Sequence, residues 1–148
     1  SLTTVAIYPF AKRFTWWPQV FLGLSFNWGA LLAFTAHTGT LHVSALILYA
    51  AGIAWTLFYD TIYAHQDKAD DARIGVKSAA LRLAQQAKPW LAVFYGGCIF
   101  CFLAVGVLTH ASPRFYAGLM VAAAQLAWQI AAVRLDAPES CLRIFRAK

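Results

Sequence analysis

The feature that most limits how this chain can fold is a run of 46 residues, 14–59, that contains no Asp, Glu, Lys or Arg. Two shorter runs of the same kind cover residues 89–113 and 115–133. A membrane-spanning helix needs about 20 mostly apolar residues. The first run is therefore long enough for two spans joined by a hairpin, and each of the others for one. Charged residues make up only 12% of the chain, too few for a soluble domain. The sequence predicts an all-α, polytopic transmembrane helical bundle.

The predicted spans divide residues 1–148 into apolar helices and charged connections of one membrane-embedded domain. The segment before Phe10 is too short to span, and we expect it to be the end of a helix that begins upstream. The connections on one membrane side hold 11 of the 12 Lys and Arg residues. Together with Asp60, at the same end of the second span, they also hold all six acidic residues. This bias predicts a cytoplasmic or matrix location for them, and it accounts for the net charge of +6 without nucleic acid as a partner. The predicted spans are 18–36, 43–63, 89–109 and 115–133, and the connections on the charged side are 11–17, 64–88 and 134–148.

The end of the second predicted span and the connection that follows it carry four of the six acidic residues, Asp60, Asp67, Asp70 and Asp71. If the helix of that span continues, Asp60 and Asp67 lie two turns apart on one face, and Asp71 follows one turn later. Carboxylates one turn apart repel each other. A Mg²⁺ ion, which favours carboxylate oxygens and a substrate phosphate, would offset that repulsion. The spacing alone fits a solvated loop of mixed charge equally well, so both interpretations stay open.

Cations accompany these aspartates. Lys68, Arg73 and Lys77 lie in the same connection and could contact phosphate oxygens directly. Gly75 is expected to end the helix, because glycine tolerates the left-handed backbone that a helix end needs. Residues 76–78 would then turn back toward the aspartates.

Four polar residues outside the acidic cluster each have two possible roles. Lys12 and Arg13 lie before the first predicted span, where they either anchor the topology or bind a diphosphate or carboxylate. Asn27 lies within the first span, where an amide either bonds a neighbouring helix or lines a pocket. His65 lies within one turn of the predicted aspartate face, and we regard it as a further candidate.

Three segments together resemble the UbiA family of intramembrane prenyltransferases, and they cover nearly the whole chain. The first segment is Tyr8-Pro9-Phe10-Ala11-Lys12-Arg13 followed by Pro18-Gln19 and Leu22-Gly23. The second resembles the family's second aspartate-rich motif and reads Tyr59-Asp60-Thr61, Tyr63-Ala64, Asp67, Asp70-Asp71 and Gly75-Val76-Lys77-Ser78. The third is similar to the family's segment before its last helix and reads Asp136-Ala137-Pro138, Cys141-Leu142 and Phe145-Arg146.

The resemblance implies a bundle of spanning helices around a cavity that opens to lipid. It implies Mg²⁺-dependent transfer of a polyprenyl group from polyprenyl diphosphate to an aromatic ring. In the branch most similar to this chain the acceptor is 4-hydroxybenzoate and the pathway is ubiquinone synthesis, in a bacterial or mitochondrial inner membrane. The resemblance assigns Asp67 and Asp71 as metal ligands. It also assigns these two residues, together with Lys12 and Arg13, to catalysis. The candidate substrate and cofactor contacts are Asp60, Tyr63, Lys77 and Asn27.

The chain departs from the family pattern in one respect. The family's first aspartate-rich motif has the form NDxxD, whereas the single asparagine here, Asn27, is followed by Trp28. We therefore expect a fragment that lacks this motif and the last helix and is inactive alone. Two alternatives remain. One is a UbiA-type enzyme with another acceptor, such as homogentisate, a naphthoate or a porphyrin-derived ring. The other is a transporter or structural membrane protein.

Overall fold

The computed structural model describes residues 2–147, and the side chains of all of these except positions 2, 4, 5, 8 and 9. Tyr8 and Pro9 of the first motif segment therefore lie outside the described side chains. Every regular element in the described part of the chain is helical, which confirms the predicted all-α class. A short 3₁₀ turn (Ala84–Gln86) precedes α7, and the helices are α1 (Leu2–Phe14), α2 (Pro18–Phe26), α3 (Trp28–Thr38), α4 (Val43–Gln66), α5 (Lys68–Ile74), α6 (Ala79–Leu83), α7 (Ala87–Leu108), α8 (Pro113–Ala132) and α9 (Pro138–Arg146).

Four helical stretches within the described residues are long and apolar enough to cross a membrane. Large apolar side chains on two of them face outward, since Phe100, Met120 and Val121 are each at least 70% exposed. Lipid is the solvent that suits such continuous apolar faces. The protein is therefore a polytopic α-helical membrane protein. The four stretches are Pro18–Thr38, Val43–Gln66, Ala79–Leu108 and Pro113–Ala132.

The helix ends differ from those expected from the apolar runs. Helix α1 continues past the expected end near Phe10 to Phe14, so Lys12 and Arg13 are helical rather than part of a loop. The expected loop 64–88 contains the end of α4, all of α5 and α6, and the start of α7. The reason is physical: an apolar run marks the membrane, whereas a helix ends where backbone geometry and capping end it.

The first candidate span is broken at Asn27, where the chain leaves helical geometry between α2 and α3. The Asn27 side chain donates hydrogen bonds to the carbonyl of Gly23, at 2.8 Å, and to Oγ1 of Thr56 on α4, at 3.0 Å. An asparagine that bonds its own helix in this way competes with the regular backbone ladder. Gly52 makes room for the amide, because a Cβ built there would lie 2.6 Å from Cγ of Asn27. The amide thus links α2 to α4 inside the membrane.

Helix α4 lies at the centre of the bundle and packs against α2, α3, α7 and α9. Helix α9 covers the charged end of α4 with one apolar side, because Cys141 and Ile144 are buried while Arg143 and Arg146 are exposed. This spacing places the apolar and the basic residues on opposite faces of a helix. The core consists of Phe58, Ile62, Leu91, Phe94, Leu126, Val133, Cys141 and Ile144.

Candidate functional site

An ion pair between α1 and α5 joins two of the motif segments. The Lys12 Nζ lies 2.8 Å from Oδ1 and 3.1 Å from Oδ2 of Asp71, so one ammonium donates to both carboxylate oxygens. The Asp71 side chain is 7% exposed and that of Lys12 is 43% exposed. A buried carboxylate needs such a partner, because leaving a charge unpaired in a low-dielectric site is costly. The pair brings together residues that are 59 positions apart.

The backbone after α5 turns back at Gly75, the predicted helix end, and the segment that follows contacts α1. Gly75 ends α5 with φ of +75°, and its N–H donates to the Asp71 carbonyl. Glycine adopts this left-handed geometry without the steric cost that a Cβ would add. The Lys77 N–H then donates to the Lys12 carbonyl at 2.8 Å. The turn therefore fixes the segment after α5 against the end of α1.

The Lys77 side chain places a second cation at the end of α1. Its Nζ donates to the Phe14 carbonyl at 3.2 Å and lies 5.8 Å from the centroid of the Trp16 ring. The C-terminal carbonyls of a helix carry partial negative charge, which a lysine ammonium stabilises. Both lysines thus contact the C-terminal part of α1 or its surroundings, Lys12 through its ion pair with Asp71 and Lys77 through the Phe14 carbonyl.

Asp67 forms the junction between α4 and α5. Helix α4 ends at Gln66, and the backbone of Asp67 has φ of −96° and ψ of 6°. The expected continuous helix through Asp60, Asp67 and Asp71 is therefore interrupted. The one-turn relation of the last two is kept, because the Asp71 N–H donates to the Asp67 carbonyl at 2.9 Å. The half-buried Asp67 takes part in no ion pair among the described residues.

Asp70 differs from its neighbour Asp71. Its side chain is 74% exposed, and its carboxylate lies 3.8 Å from the guanidinium of Arg73, itself 82% exposed. Exposed pairs of this length contribute little, because water screens both charges. Asp70 therefore behaves as a solvated residue and offers a matched control for the other aspartates.

The remaining predicted site residues lie elsewhere in the described structure. The Arg13 guanidinium lies 5.7 Å from the Phe10 ring centroid, because consecutive helical residues point about 100° apart and Lys12 takes the position facing Asp71. The Tyr63 ring packs against Phe145 of α9, with centroids 4.9 Å apart. Asp60 is half-buried on α4, two turns before Asp67. Asn27 donates a hydrogen bond to Thr56 of α4. At a rise of about 1.5 Å per residue, Thr56 lies about 16 Å along the helix axis from the Asp67 junction.

The carboxylates offer only part of a metal site. No group of three or more His, Cys, Asp or Glu residues within the described part of the chain is arranged to hold a metal ion. Mg²⁺ usually takes one or two carboxylates and completes its shell with water and substrate phosphate. Asp67 and Asp71, one turn apart, fit that donor set. In this structure the Lys12 ammonium contacts both Asp71 oxygens, so a metal held there would share the carboxylate with Lys12 or displace it from one oxygen.

Two contacts in this site have no signal in the sequence. The Phe14 carbonyl is a backbone group, and its role depends on where α1 ends. Trp16 carries a general signal, since aromatic residues collect at membrane surfaces, but the sequence does not indicate its contact with Lys77. His65, the further candidate, is 3% exposed, and its Nδ1 lies 2.8 Å from the Thr61 carbonyl.

Comparison with known proteins extends these observations. The UbiA prenyltransferase family model matches residues 1–148. The chain is 49% identical to "4-hydroxybenzoate polyprenyltransferase, mitochondrial" of Caenorhabditis elegans, over 99% of the chain and 42% of that protein. It is 50% identical to the Arabidopsis thaliana protein of the same name, over 98% of the chain and 36% of that protein. For the Homo sapiens protein the identity is 46%, over 98% of the chain and 39% of that protein. The chain thus spans 36–42% of the length of these relatives. No solved structure matches it.

Proposed function

Because the chain belongs to the UbiA prenyltransferase family, we propose that the full-length protein transfers a polyprenyl group from polyprenyl diphosphate to the aromatic ring of 4-hydroxybenzoate, a step of ubiquinone synthesis. The observation that carries the proposal is the Lys12–Asp71 ion pair, which joins the basic motif to the aspartate-rich motif. The names of the relatives supply the acceptor and the class of donor. Their much greater length supports the expectation that the 148-residue chain is inactive alone.

In this proposal the polar end of the bundle binds the diphosphate. Asp67 and Asp71 would hold Mg²⁺, which would neutralise charge on the phosphate oxygens as the leaving group departs. The cations that we assign to this position are Lys12, which contacts Asp71, and Lys77, which contacts the end of α1. With Mg²⁺ held by Asp71, the Lys12 ammonium would be able to donate to a diphosphate oxygen. Arg13, which lies against Phe10, is the weakest of the catalytic candidates.

The reaction exchanges one bond for another. The C–O bond between the allylic carbon and the diphosphate breaks, and its electron pair leaves with the diphosphate. The ring carbon ortho to the phenol hydroxyl bonds to the allylic carbon, and the ring then loses its proton. Fixed cations stabilise the negative charge that develops on the diphosphate. Aromatic walls stabilise the carbocation-like chain and apolar walls exclude water, and 16% of the chain is aromatic.

We place the protein in the mitochondrial inner membrane, with the aspartate-rich connection on the matrix side. The relatives cited above are named as mitochondrial. The concentration of basic residues in the connections on the side of Asp67 favours the inner, matrix-facing surface.

The test uses membranes that contain the full-length protein, labelled 4-hydroxybenzoate and a polyprenyl diphosphate. Label that enters the lipid extract is measured with Mg²⁺ and with EDTA. We expect Asp67→Asn and Asp71→Asn each to lower the rate on the order of 100-fold, since each removes a charge that acts on the leaving group. The matched control is Asp70→Asn, which removes a carboxylate that is 74% exposed and should leave the rate near wild type.

Each alternative has its own outcome. Equal loss in all three variants would indicate a general effect of charge in the connection and would contradict the assigned ligands. Transfer to homogentisate or a naphthoate, but not to 4-hydroxybenzoate, would replace the proposed acceptor. Wild-type membranes that transfer no label to any acceptor would contradict the enzymatic proposal itself.

A further inference from the structure

A cationic groove lies between α5, the start of α7 and the connection from α8 to α9. Its volume is about 650 Å³, and Lys68, Lys88 and Arg134 line it. Asp136 is the single carboxylate among its described lining residues, so the lining carries a net charge of +2. The ion pairs found among the described residues, Lys12–Asp71 and Arg73–Asp70, involve none of these three cations. A concave surface with uncompensated positive charge attracts an anion.

The groove lies at the depth of lipid headgroups. Lys88 is in the first turn of α7, and Arg134 follows the end of α8 by two residues. Both helices belong to candidate membrane spans, and the two cations directly flank the uncharged runs 89–113 and 115–133 on the charged side of the bundle. Both side chains are exposed, which leaves them accessible to a phosphate in that layer. Basic residues at this depth attract anionic lipid headgroups.

A second cavity adjoins the groove, and two of the residues that line it carry buried hydrogen-bond acceptors. It measures about 390 Å³ and shares Lys68, Leu135 and Asp136 with the groove. His65, which lines it, is 3% exposed, and its Nδ1 lies 2.8 Å from the Thr61 carbonyl. A carbonyl only accepts hydrogen bonds, so Nδ1 carries the hydrogen and Nε2 of the neutral ring is an acceptor.

Neither acceptor has a protein donor among the described residues. This holds for Nε2 of His65 and for Oε1 of Gln66, which lines the same cavity. Buried polar atoms are nearly always hydrogen-bonded, and an unmet acceptor therefore points to a ligand that carries donors. A phosphodiester headgroup without hydroxyls would satisfy the cations of the groove but would donate nothing to His65 or Gln66.

We propose that this pair of cavities binds the phosphoglycerol headgroup of an anionic phospholipid. The phosphate lies between Lys68, Lys88 and Arg134, and the glycerol hydroxyls donate to Nε2 of His65 and Oε1 of Gln66. A choline headgroup is excluded by its own positive charge and by its lack of hydroxyls. A headgroup that carries both a phosphate and free hydroxyls matches both halves of the site.

This site is distinct from the candidate reaction site. The lining of the two cavities does not include Lys12, Asp71 or Lys77. Helix α5 directs Asp71 toward α1, whereas its residues Lys68 and Ala72 line the lipid cavities. The bound headgroup therefore holds the outer side of the helix whose inner side carries the aspartate. Its test does not depend on whether the protein transfers a prenyl group.

The experiment measures lipids bound to the purified full-length protein by native mass spectrometry. Phosphatidylglycerol, phosphatidate and phosphatidylcholine with identical acyl chains are offered in turn. We expect phosphatidylglycerol to bind most tightly and phosphatidylcholine least. Lys88→Gln with Arg134→Gln should weaken phosphatidylglycerol about 25-fold, at about fivefold per cation. The matched control is Arg114→Gln, which removes an exposed cation from the first turn of α8, at the other end of that helix from Arg134, and should change nothing.

A second variant tests the hydroxyl contacts. His65→Leu should remove the preference for phosphatidylglycerol over phosphatidate while both still bind better than phosphatidylcholine. Inorganic phosphate at millimolar concentration should not displace the lipid. Unchanged binding in the double variant, or equal losses in the Arg114→Gln control, would overturn the site. Full displacement by inorganic phosphate would overturn the assignment to a lipid headgroup. Each single cation variant repeats the test if the double variant does not fold.

Discussion

Gly52→Ala probes whether Asn27 acts as a link between helices or as part of a ligand pocket. A methyl group at position 52 would lie 2.6 Å from Cγ and 3.0 Å from Cβ of Asn27, so the amide must move. The movement breaks its hydrogen bonds to the Gly23 carbonyl and to Thr56. If Asn27 serves mainly to hold α2 on α4, the variant loses stability in the absence of any substrate.

The magnitude follows from opposing contributions. Overpacking a close contact costs about 1–3 kcal/mol, and the interhelical bond to Thr56 contributes about 0.6–1.7 kcal/mol of that. Alanine is favoured over glycine within a helix by about 1 kcal/mol. We therefore expect Gly52→Ala to lower the unfolding free energy by about 1 kcal/mol, within a range of about 0–2 kcal/mol. In an Asn27→Gly background the clash is absent, and the same change should raise it by about 0.5–1 kcal/mol.

The assay is reversible unfolding of the four proteins of this double-mutant cycle by titration with SDS in mixed micelles. The control is Gly97→Ala on the exposed side of α7, where an added Cβ meets nothing within 4 Å and should stabilise slightly. The predicted coupling between positions 27 and 52 is about 2 kcal/mol. An equal effect of Gly52→Ala in both backgrounds would refute the reasoning and return Asn27 to the candidates for ligand contact.

Two further predictions concern charged and ionisable groups. Lys12→Met leaves the buried Asp71 carboxylate without its ammonium and should lower the unfolding free energy by about 2 kcal/mol. The control is the neighbouring Arg13→Met, which removes an exposed cation and should change the unfolding free energy by less than about 0.5 kcal/mol. Equal losses in the two variants would contradict the pairing. Burial raises the pKa of the Cys141 thiol above its ordinary value of 9.0, so the folded protein holds that proton more tightly than the unfolded chain. The contribution of the Cys141 thiol to stability is complete below about pH 9 and is lost as the pH rises through the folded-state pKa. Cys141→Ala should therefore weaken the decline in stability above about pH 9. Unfolding curves that are the same for the variant and the wild type across that range would contradict the prediction.

The class of fold could be predicted because the bilayer imposes a simple length requirement on apolar runs. The ends of the helices could not, because hydropathy reports where lipid lies and not where backbone hydrogen bonds stop. The charged connection contains α5 and α6, and the local signals that delimit them are Gly75, in left-handed geometry, and Ser78, whose hydroxyl accepts the Leu81 N–H at 3.4 Å. Of these two, only Gly75 predicts a helix end from the sequence.

The candidate site was predictable in its members more than in its contacts. Asp71 and Lys12 were named from the motifs, but the choice between Lys12 and Arg13 depends on helical phase. That phase is defined only once α1 is known to continue to Phe14. The role of Asn27 stayed open for a related reason, because its partner Thr56 lies 29 residues away. Contacts between distant segments depend on how helices are rotated against each other, which a single sequence does not state.

The pairing of Lys12 with Asp71 also limits how the protein can be assembled during synthesis. The residues between them include two candidate spans, so the pair forms only if the chain crosses the bilayer an even number of times on the way. A nascent chain that failed to insert Pro18–Thr38 would leave the two residues on opposite surfaces, about 30 Å apart. The Phe14 carbonyl at the end of α1 likewise gains its lysine partner only after Lys77 has been synthesised. Errors of membrane insertion in the first hairpin would therefore disable the site while leaving every one of its residues in the chain.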